Sequence, residues 1–435
     1  ESSVSIYACG PTVYGLTHVG NACAAIAPDL FHRIFKRAGY DVTLIANITD
    51  IDDKIIKAAQ EAGSSTEEIT KKFSDVYLSE IEALANLPVT HRPRATEAIK
   101  EISSMIEKLI ADGFAYAAET PFGTDVYFRV DRYEEYGKLS KRKTEDLIAG
   151  ARVEPGEMKE NPLDFTLWKA AKEGEPSWDS PWGAGRPGWH IECSAMVHKF
   201  YPKGVDIHMG GLDLIFPHHE NEIAQTECCT GHPIARYWAH NGLVVLGKEK
   251  MSKSIGNIFT TQEFLNSFGP EVLRLLILQH HYRSPIDFSE EVILRTEALV
   301  ERLYHAKEYC QAHQTVALNE ELFAETKKQI DNALYDDFNS AKALGFALKD
   351  LRKCFKEDRP EMWKAWGEYA LPFLNDVMGI VLRETETAKS DIKEKRFARM
   401  GVDAHFADRI EEQLAARENK RAERDFAAAD QIRQD

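Results

Sequence analysis

The stretch "KEKMSKS", Lys248 to Ser254, gathers three lysines and two serines with almost nothing apolar, so it cannot contribute to a core. Ammonium groups are compact cations and hydroxyls donate and accept, which suits such a loop to phosphates as well as to bulk solvent. A second polar constellation lies near the start, in "CGPTVYGLTHVGN". There His18, Gly20 and Asn21 fall where an apolar run gives way to a helical pattern. A helix N-terminus attracts anions, a glycine admits close backbone approach, and residues three apart share a helical face. His18, Asn21, Lys250 and Lys253 are therefore candidates to grip a polyphosphate, with Gly20 beside them. A third constellation is soft and metal-like. In "HHENE", His218 and Glu222 stand four apart, and Cys9 and Cys193 are thiols that could complete a four-donor set. A surface hydrogen bond is the bland reading of the His218 and Glu222 pair, and the spacing to the cysteines is too long to decide.

These residues need a scaffold. "VSIYACG", then "HVGNACAAIAPDLFHRIFKRAG", then "YDVTLIANI" read as strand, helix and strand, the seed of a parallel α/β sheet, with Gly39 ending the helix and Pro28 kinking it or marking its start. A long helix is expected from Thr90 to Ala111. Residues 114–188, with short β-like runs such as "DVYFRV" among turns and tryptophans, read as an inserted subdomain. The α/β pattern resumes with "GVDIHMGGLDLIFPHHENEIAQTEC" and "YWAHNGLVVLGKEKMSKS", and after Pro270 apolar positions recur three and four apart. The expected class is α/β: a Rossmann-type parallel-sheet catalytic domain, with residues 1–113 as its first half and 189–256 as its second, and then a C-terminal α-helical bundle. The helical part divides into 257–305, 306–403 and a terminal segment, 404–435.

Of 435 residues, 43% are hydrophobic and 10% aromatic, enough for a substantial core, and the apolar runs are too short and interrupted to span a bilayer. "ESSVSIYACG" has no basic region leading into an apolar one, so a cytoplasmic location is expected. Seven unevenly spaced cysteines do not form a disulfide framework. A net charge of −16 argues against indiscriminate nucleic-acid binding but leaves room for a local basic patch.

The pairing of "HVGN" with "KMSKS" resembles the class I aminoacyl-tRNA synthetases, which carry a histidine-glycine motif after the first strand and a K-M-S-K-S loop after the last. Asn21 departs from the histidine of many members. It keeps hydrogen-bonding capacity but cannot become an imidazolium. Within that class the chain is similar to the cysteinyl-tRNA synthetases through "CGPTVYGLTHVGN", "NITDIDDKII", "PSWDSPWGAGRPGWHIECSAM", "DIHMGG", "FPHHENEIAQ" and "KMSKS".

That resemblance implies a zinc ion, one per chain, on Cys9, Cys193, His218 and Glu222, and ATP (with Mg²⁺), L-cysteine and cysteine tRNA as partners. It implies a nucleotide clamp of His18, Gly20, Asn21, Lys250 and Lys253, and a cysteine pocket including Cys9 and Thr12, walled by Trp189 and His190. Zinc can expand to a fifth ligand and ionise a thiol, so cysteine would be separated from serine and alanine at binding, where an apolar pocket separates small side chains by only about 1–3 kcal/mol. His219 is expected behind the site or in packing, Trp178 and Trp182 in the core, and the carboxylates of "TDIDDK" in structural or capping roles. The chain is expected to be a monomer without membrane contact. A rival reading is the ligase of mycothiol synthesis, which activates cysteine but joins it to an amino sugar. It lacks the helical region of which "ARENKRAERDFAAADQIR", with Arg417, Lys420, Arg421 and Arg424, resembles the end.

Overall fold

The computed structural model describes residues 2–142, 158–246, 249–250 and 259–402, and most of 404–431. Its first strand, β1 (Ser3–Ala8), carries the apolar run Ile6–Ala8 into the interior and is followed by α1 (Val19–Arg37) and β2 (Asp41–Ala46). α1 begins well before Pro28 and continues through it, and the Asn86 side chain donates to the Ala25 carbonyl at 2.9 Å beside that proline. Gly39 follows the helix with φ of 86°, a left-handed conformation that ends it at little steric cost.

Two further helices, α2 (Asp53–Ala62) and α3 (Thr66–Ala83), precede a departure from the sequence expectation. Residues 90–94 are extended, not helical. They run along the outer edge of β2, with Thr90 N donating to Leu44 O at 2.8 Å and Ala46 N to His91 O at 3.1 Å. Helix α4 begins only at Ile99 and ends at Ala111, after a short 3₁₀ turn over Ala95–Ala98. Pro93 explains the failure: the residue before a proline is driven out of the helical region, whatever the helix formers around it.

Next comes an antiparallel sheet of β3 (Ala115–Thr120), β4 (Gly123–Phe128), β5 (Phe165–Ala170) and β6 (Gly185–Pro187), in that spatial order. It returns the chain to the first sheet through α5 (Trp189–Phe200), β7 (Val205–Gly211), α6 (Glu220–Thr230) and β8 (Ala235–Asn241). The parallel sheet has the order β2-β1-β7-β8, so the chain leaves β1 in one direction and comes back on its other side. Open α/β sheets form their crevice at such a reversal, beyond the carboxyl ends of the strands. A small second sheet holds β9 (Val244–Leu246) between β10 (Glu249–Lys250) and β11 (Ile286–Asp287).

The remainder is helical: α7 (Thr261–Phe268), α8 (Pro270–Leu278), α9 (Glu290–Ala312), α10 (Ala324–Tyr335), α11 (Ser340–Glu357), α12 (Pro360–Pro372), α13 (Thr385–Met400) and α14 (Ala404–Ala422). One apolar cluster runs without a break from Val19, Ile26 and Leu30 of α1, through Leu275 of α8 and Leu303 of α9, to Trp363 and Trp366 of α12. Within it Arg274, 1% exposed, pairs with Asp29 and donates to the carbonyls of Met378 and, at 3.0 Å, Leu84. Asp29 also pairs with Arg33 at 2.8 Å, and Arg33 reaches the Asp376 carbonyl at 2.9 Å. No helix among the described residues is long and apolar enough to cross a membrane.

Candidate active site

The N-terminus of α1 opens into a cleft of about 480 Å³ at the carboxyl end of β1. His18 is the N-cap: its Nδ1 accepts from the Gly20 amide at 3.1 Å, while the Asn21 Oδ1 accepts from the His18 amide at 3.0 Å. The two side chains thus form a reciprocal capping box. Gly20 is required for this as much as for access, because a Cβ there would lie 2.8 Å from the His18 ring. Gly10 has a comparable constraint: a Cβ would collide with the Asn47 carbonyl at 1.6 Å. His18, Gly20 and Asn21 line the cleft together with Cys9, Thr12 and Trp189. Lys250 lies in β10 opposite Val245, one residue from the cleft-lining Val244. Lys253 lies outside the described residues.

Four potential donors meet around Cys9, which lines the cleft. Cys9 comes from the end of β1, Cys193 from α5, His218 from the turn before α6, and Glu222 from the first turn of α6. Cys9 Sγ lies 3.8 Å from Cys193 Sγ and 3.7 Å from Glu222 Oε1, and His218 Nε2 lies 3.0 Å from that same oxygen. A tetrahedral zinc with bonds of about 2.3 Å to sulfur and 2.0 Å to nitrogen spaces its ligand atoms by roughly 3.3–3.8 Å, close to what these residues offer. A second combination, Cys9, His208, His219 and Glu222, is also compact enough to hold an ion.

The electrostatics suit a cation. Burial pushes the Cys9 thiol well up, with the neighbouring Cys193 adding to the effect. A hydrogen bond from Cys9 favours the Cys193 thiolate, but burial and Glu222 outweigh it and raise that thiol too. Burial lowers His218 to about 3, leaving a neutral imidazole with a lone pair to give. Such thiols ionise only beside compensating positive charge, so the residues fit a thiophilic divalent metal.

Around the donors lies a layer of rings. Trp189, 37% exposed, stacks on His218 with centroids 4.3 Å apart. His190 does not line the cleft but backs His218, Nδ1 to Nδ1 at 3.0 Å. His208 Nε2 lies 2.8 Å from the second oxygen of Glu222, and Trp238 stacks on His208. His219 contacts His240 at 2.8 Å through Nδ1 and Cys9 Sγ at 3.5 Å through Nε2. His208, Trp238 and His240 went unrecognised in the sequence, as did the cleft-lining Lys54, Asp213 and Asn241. Asp213 had a usable signal, a polar residue just past the end of the strand in "DIHMGGLDL".

The carboxylates of "TDIDDK" have ordinary work. Asp50 accepts from the Thr96 amide at 3.0 Å and hydroxyl at 2.7 Å, Asp52 caps α2 through the Lys54 amide at 2.8 Å, and Asp53 pairs with Lys169 and Arg186. Trp182 packs against the buried Trp168, and Trp178 is partly buried against the core.

The family model for the catalytic domain of tRNA synthetases class I (C) matches residues 1–298. The cysteine--tRNA ligase of Nitratidesulfovibrio vulgaris (strain Hildenborough) is 46% identical, over 99% of this chain and 91% of its own length. The chain belongs to the cysteine--tRNA ligase family. Within that family the Geobacter sulfurreducens ligase is 45% identical over the same shares, and that of Thermococcus gammatolerans 49% identical over 79% of this chain and 74% of its own. These matches do not support the amino-sugar ligase reading. The methionyl-tRNA synthetase of Mycobacterium tuberculosis, solved with methionyl-adenylate, shares the fold with a TM-score of 0.68 at 17% identity, covering 90% of this chain and 94% of that one.

Proposed function

We propose that the chain activates L-cysteine with ATP to form cysteinyl-adenylate and pyrophosphate, and then transfers the cysteinyl group to the 3′ end of cysteine tRNA. The observation that carries this reading is a shared cleft: Cys9 of the donor cluster and the capped N-terminus of α1, with His18, Gly20 and Asn21, line the same cavity. An amino acid held by its thiol on the first and a triphosphate on the second would bring carboxylate and α-phosphate together between them. Attack at phosphorus depends on alignment and charge stabilisation more than on a side-chain nucleophile.

Cys9, Cys193, His218 and Glu222 would hold zinc, which when bound supplies a Lewis acid able to take the substrate thiol as thiolate and so select cysteine. This set is preferred to the one with His208 and His219 because two thiolates make it softer. His208 then orients Glu222 from behind, and His219 is held by His240. Thr12 and Trp189 wall the cysteine end, and His190 steadies the His218 ring. His18, Gly20 and Asn21 receive the nucleotide at the helix terminus, with Lys250 and Lys253 supplying positive charge to the phosphates and Mg²⁺ accompanying ATP. Residues 1–113 and 189–256 form the catalytic unit in this proposal, 114–188 the insertion, and 306–435 the anticodon side.

Cysteine-dependent exchange of pyrophosphate into ATP tests the first step, and charging of cysteine tRNA tests the second. No exchange from zinc-loaded protein would reject the reading. Exchange without charging, alongside transfer to an amino sugar, would favour the rival ligase.

A further inference from the structure

At the start of α1 a buried polar contact reaches away from the cleft wall, to which Thr17 belongs, toward α3. Thr17, 7% exposed, donates its hydroxyl hydrogen to Oε2 of Glu80 on α3, which is 5% exposed. The Thr261 hydroxyl, at the first residue of α7, lies 3.0 Å from that of Thr17. Thr17 has a single hydroxyl hydrogen, so the chain of donors runs from Thr261 to Thr17 to Glu80. Among the described residues Glu80 forms no ion pair with a lysine or arginine, and its Oε1 has no hydrogen-bond partner.

A buried carboxylate with one partner is a costly way to fill space, and an apolar residue of that size would serve stability better. Its surroundings give it another use. Thr261 N donates to Thr17 O at 3.0 Å, Val19 N donates to Phe259 O at 3.3 Å, and His18 bridges Thr260 in antiparallel fashion. Thr260 itself caps α7 through a reciprocal box with Glu263. The backbone on both sides of His18 is thus fastened to residues 259–261, and Glu80 holds the side chain at the centre of that fastening.

We propose that Glu80 is a positioning residue for the nucleotide end of the cleft: through Thr17 it fixes the His18 backbone and the N-terminus of α1 against the N-terminus of α7. Glu80 does not line the cleft, although Thr17 does, and neither is among the metal-binding candidates. Misplacing a binding group by an ångström can cost up to about a hundredfold in rate. The inference rests on the adenylation reading above.

The test is single-turnover adenylate formation by the zinc-loaded full chain, with the KM for ATP and for cysteine and a urea midpoint, for Glu80→Leu, Glu80→Gln, Thr17→Val and the Leu/Val double variant. Glu80→Leu should slow adenylate formation about tenfold to a hundredfold, with the KM for cysteine and the urea midpoint at or near the wild-type values. Glu80→Gln should restore most of the rate, because its amide oxygen still accepts from Thr17. The double variant should be no slower than the slower single one, as expected for residues acting as one unit. If Glu80→Leu does not fold, Glu80→Ala takes its place: a slow Glu80→Ala beside a near-normal Glu80→Gln supports the role, and a normal Glu80→Ala or a normal Thr17→Val overturns it. A wild-type rate in Glu80→Leu, additive losses, or losses that track the urea midpoint would also overturn it. Absence of exchange in the wild type would overturn the adenylation reading itself and this inference with it.

Discussion

Replacing the Cys193 thiol by the hydroxyl of serine changes one donor atom and little volume, so its effect separates ligation from packing. Cys193→Ser should strip most of the zinc and weaken cysteine binding in proportion, which metal analysis and cysteine titration would read. His208→Gln discriminates the two possible donor sets. If His208 only orients Glu222, zinc affinity should fall by about 10- to 100-fold, as for partners behind a ligand, and less than in Cys193→Ser, as measured by chelator competition. An equal loss in both would bring His208 into the coordination sphere. If the charge of Lys253 acts where phosphate charge develops, as proposed, Lys253→Ala should slow adenylate formation by about 2.7–4 kcal/mol of barrier while sparing cysteine binding; rapid-quench kinetics measure it. The four donors could be named from the sequence only with the help of the family resemblance, since Cys9 and Cys193 come from distant elements. His208 and His240 were hidden because each sits in an unbroken buried run, 207–210 and 239–241, where no alternation marks an inward polar residue.

Among the elements, α1 and the strands on either side of it were legible because each agrees with its local signals: apolar run, cap, helix period and terminal glycine. The stretch from Thr90 was misread because tertiary pairing to β2, together with Pro93, outweighed helix propensity. Nor did any sequence pattern announce the salt-bridged junction between α1 and α8, since Asp29 and Arg274 are buried polar residues inside apolar faces. Burial pushes the Asp29 carboxyl up, but Arg274 and Arg33 outweigh it and hold it below its ordinary value. With the folded value below the unfolded one of about 3.9, this contribution is complete above that pH and is lost as the pH falls through the folded value. Asp29→Asn would leave Arg274 buried without its counter-charge and should cost about 3–5 kcal/mol in urea unfolding at neutral pH. The same variant should also show a flatter decline of stability in acid, the check on the sign.

At the scale of the whole molecule, the basic cluster expected near the end of the chain is partly neutralised: Lys420 pairs with Glu423 at 2.8 Å. Side chains of Arg421 and Arg424 lie outside the described residues. Deleting residues from Ala404 onward should leave cysteine-dependent exchange nearly intact and reduce tRNA charging through binding. Lys420, Arg421 and Arg424 changed together to alanine should act more mildly and flatten the salt dependence of tRNA affinity, since fewer phosphate contacts release fewer counterions. An unchanged salt slope and normal charging would show a solvated helix face instead. A cut further upstream has a different outcome. The family match stops at residue 298, yet the guanidinium groups of Arg33 and Arg274 are capped by carbonyls of Asp376 and Met378, and Arg383 closes on Glu271 at 3.0 Å. A gene fragment ending at the edge of the recognised domain would take these carbonyls from Arg33 and Arg274, leave Glu271 without Arg383 and open the apolar seam beside α1, so the shortest autonomous folding unit able to make adenylate is expected to reach past Arg383.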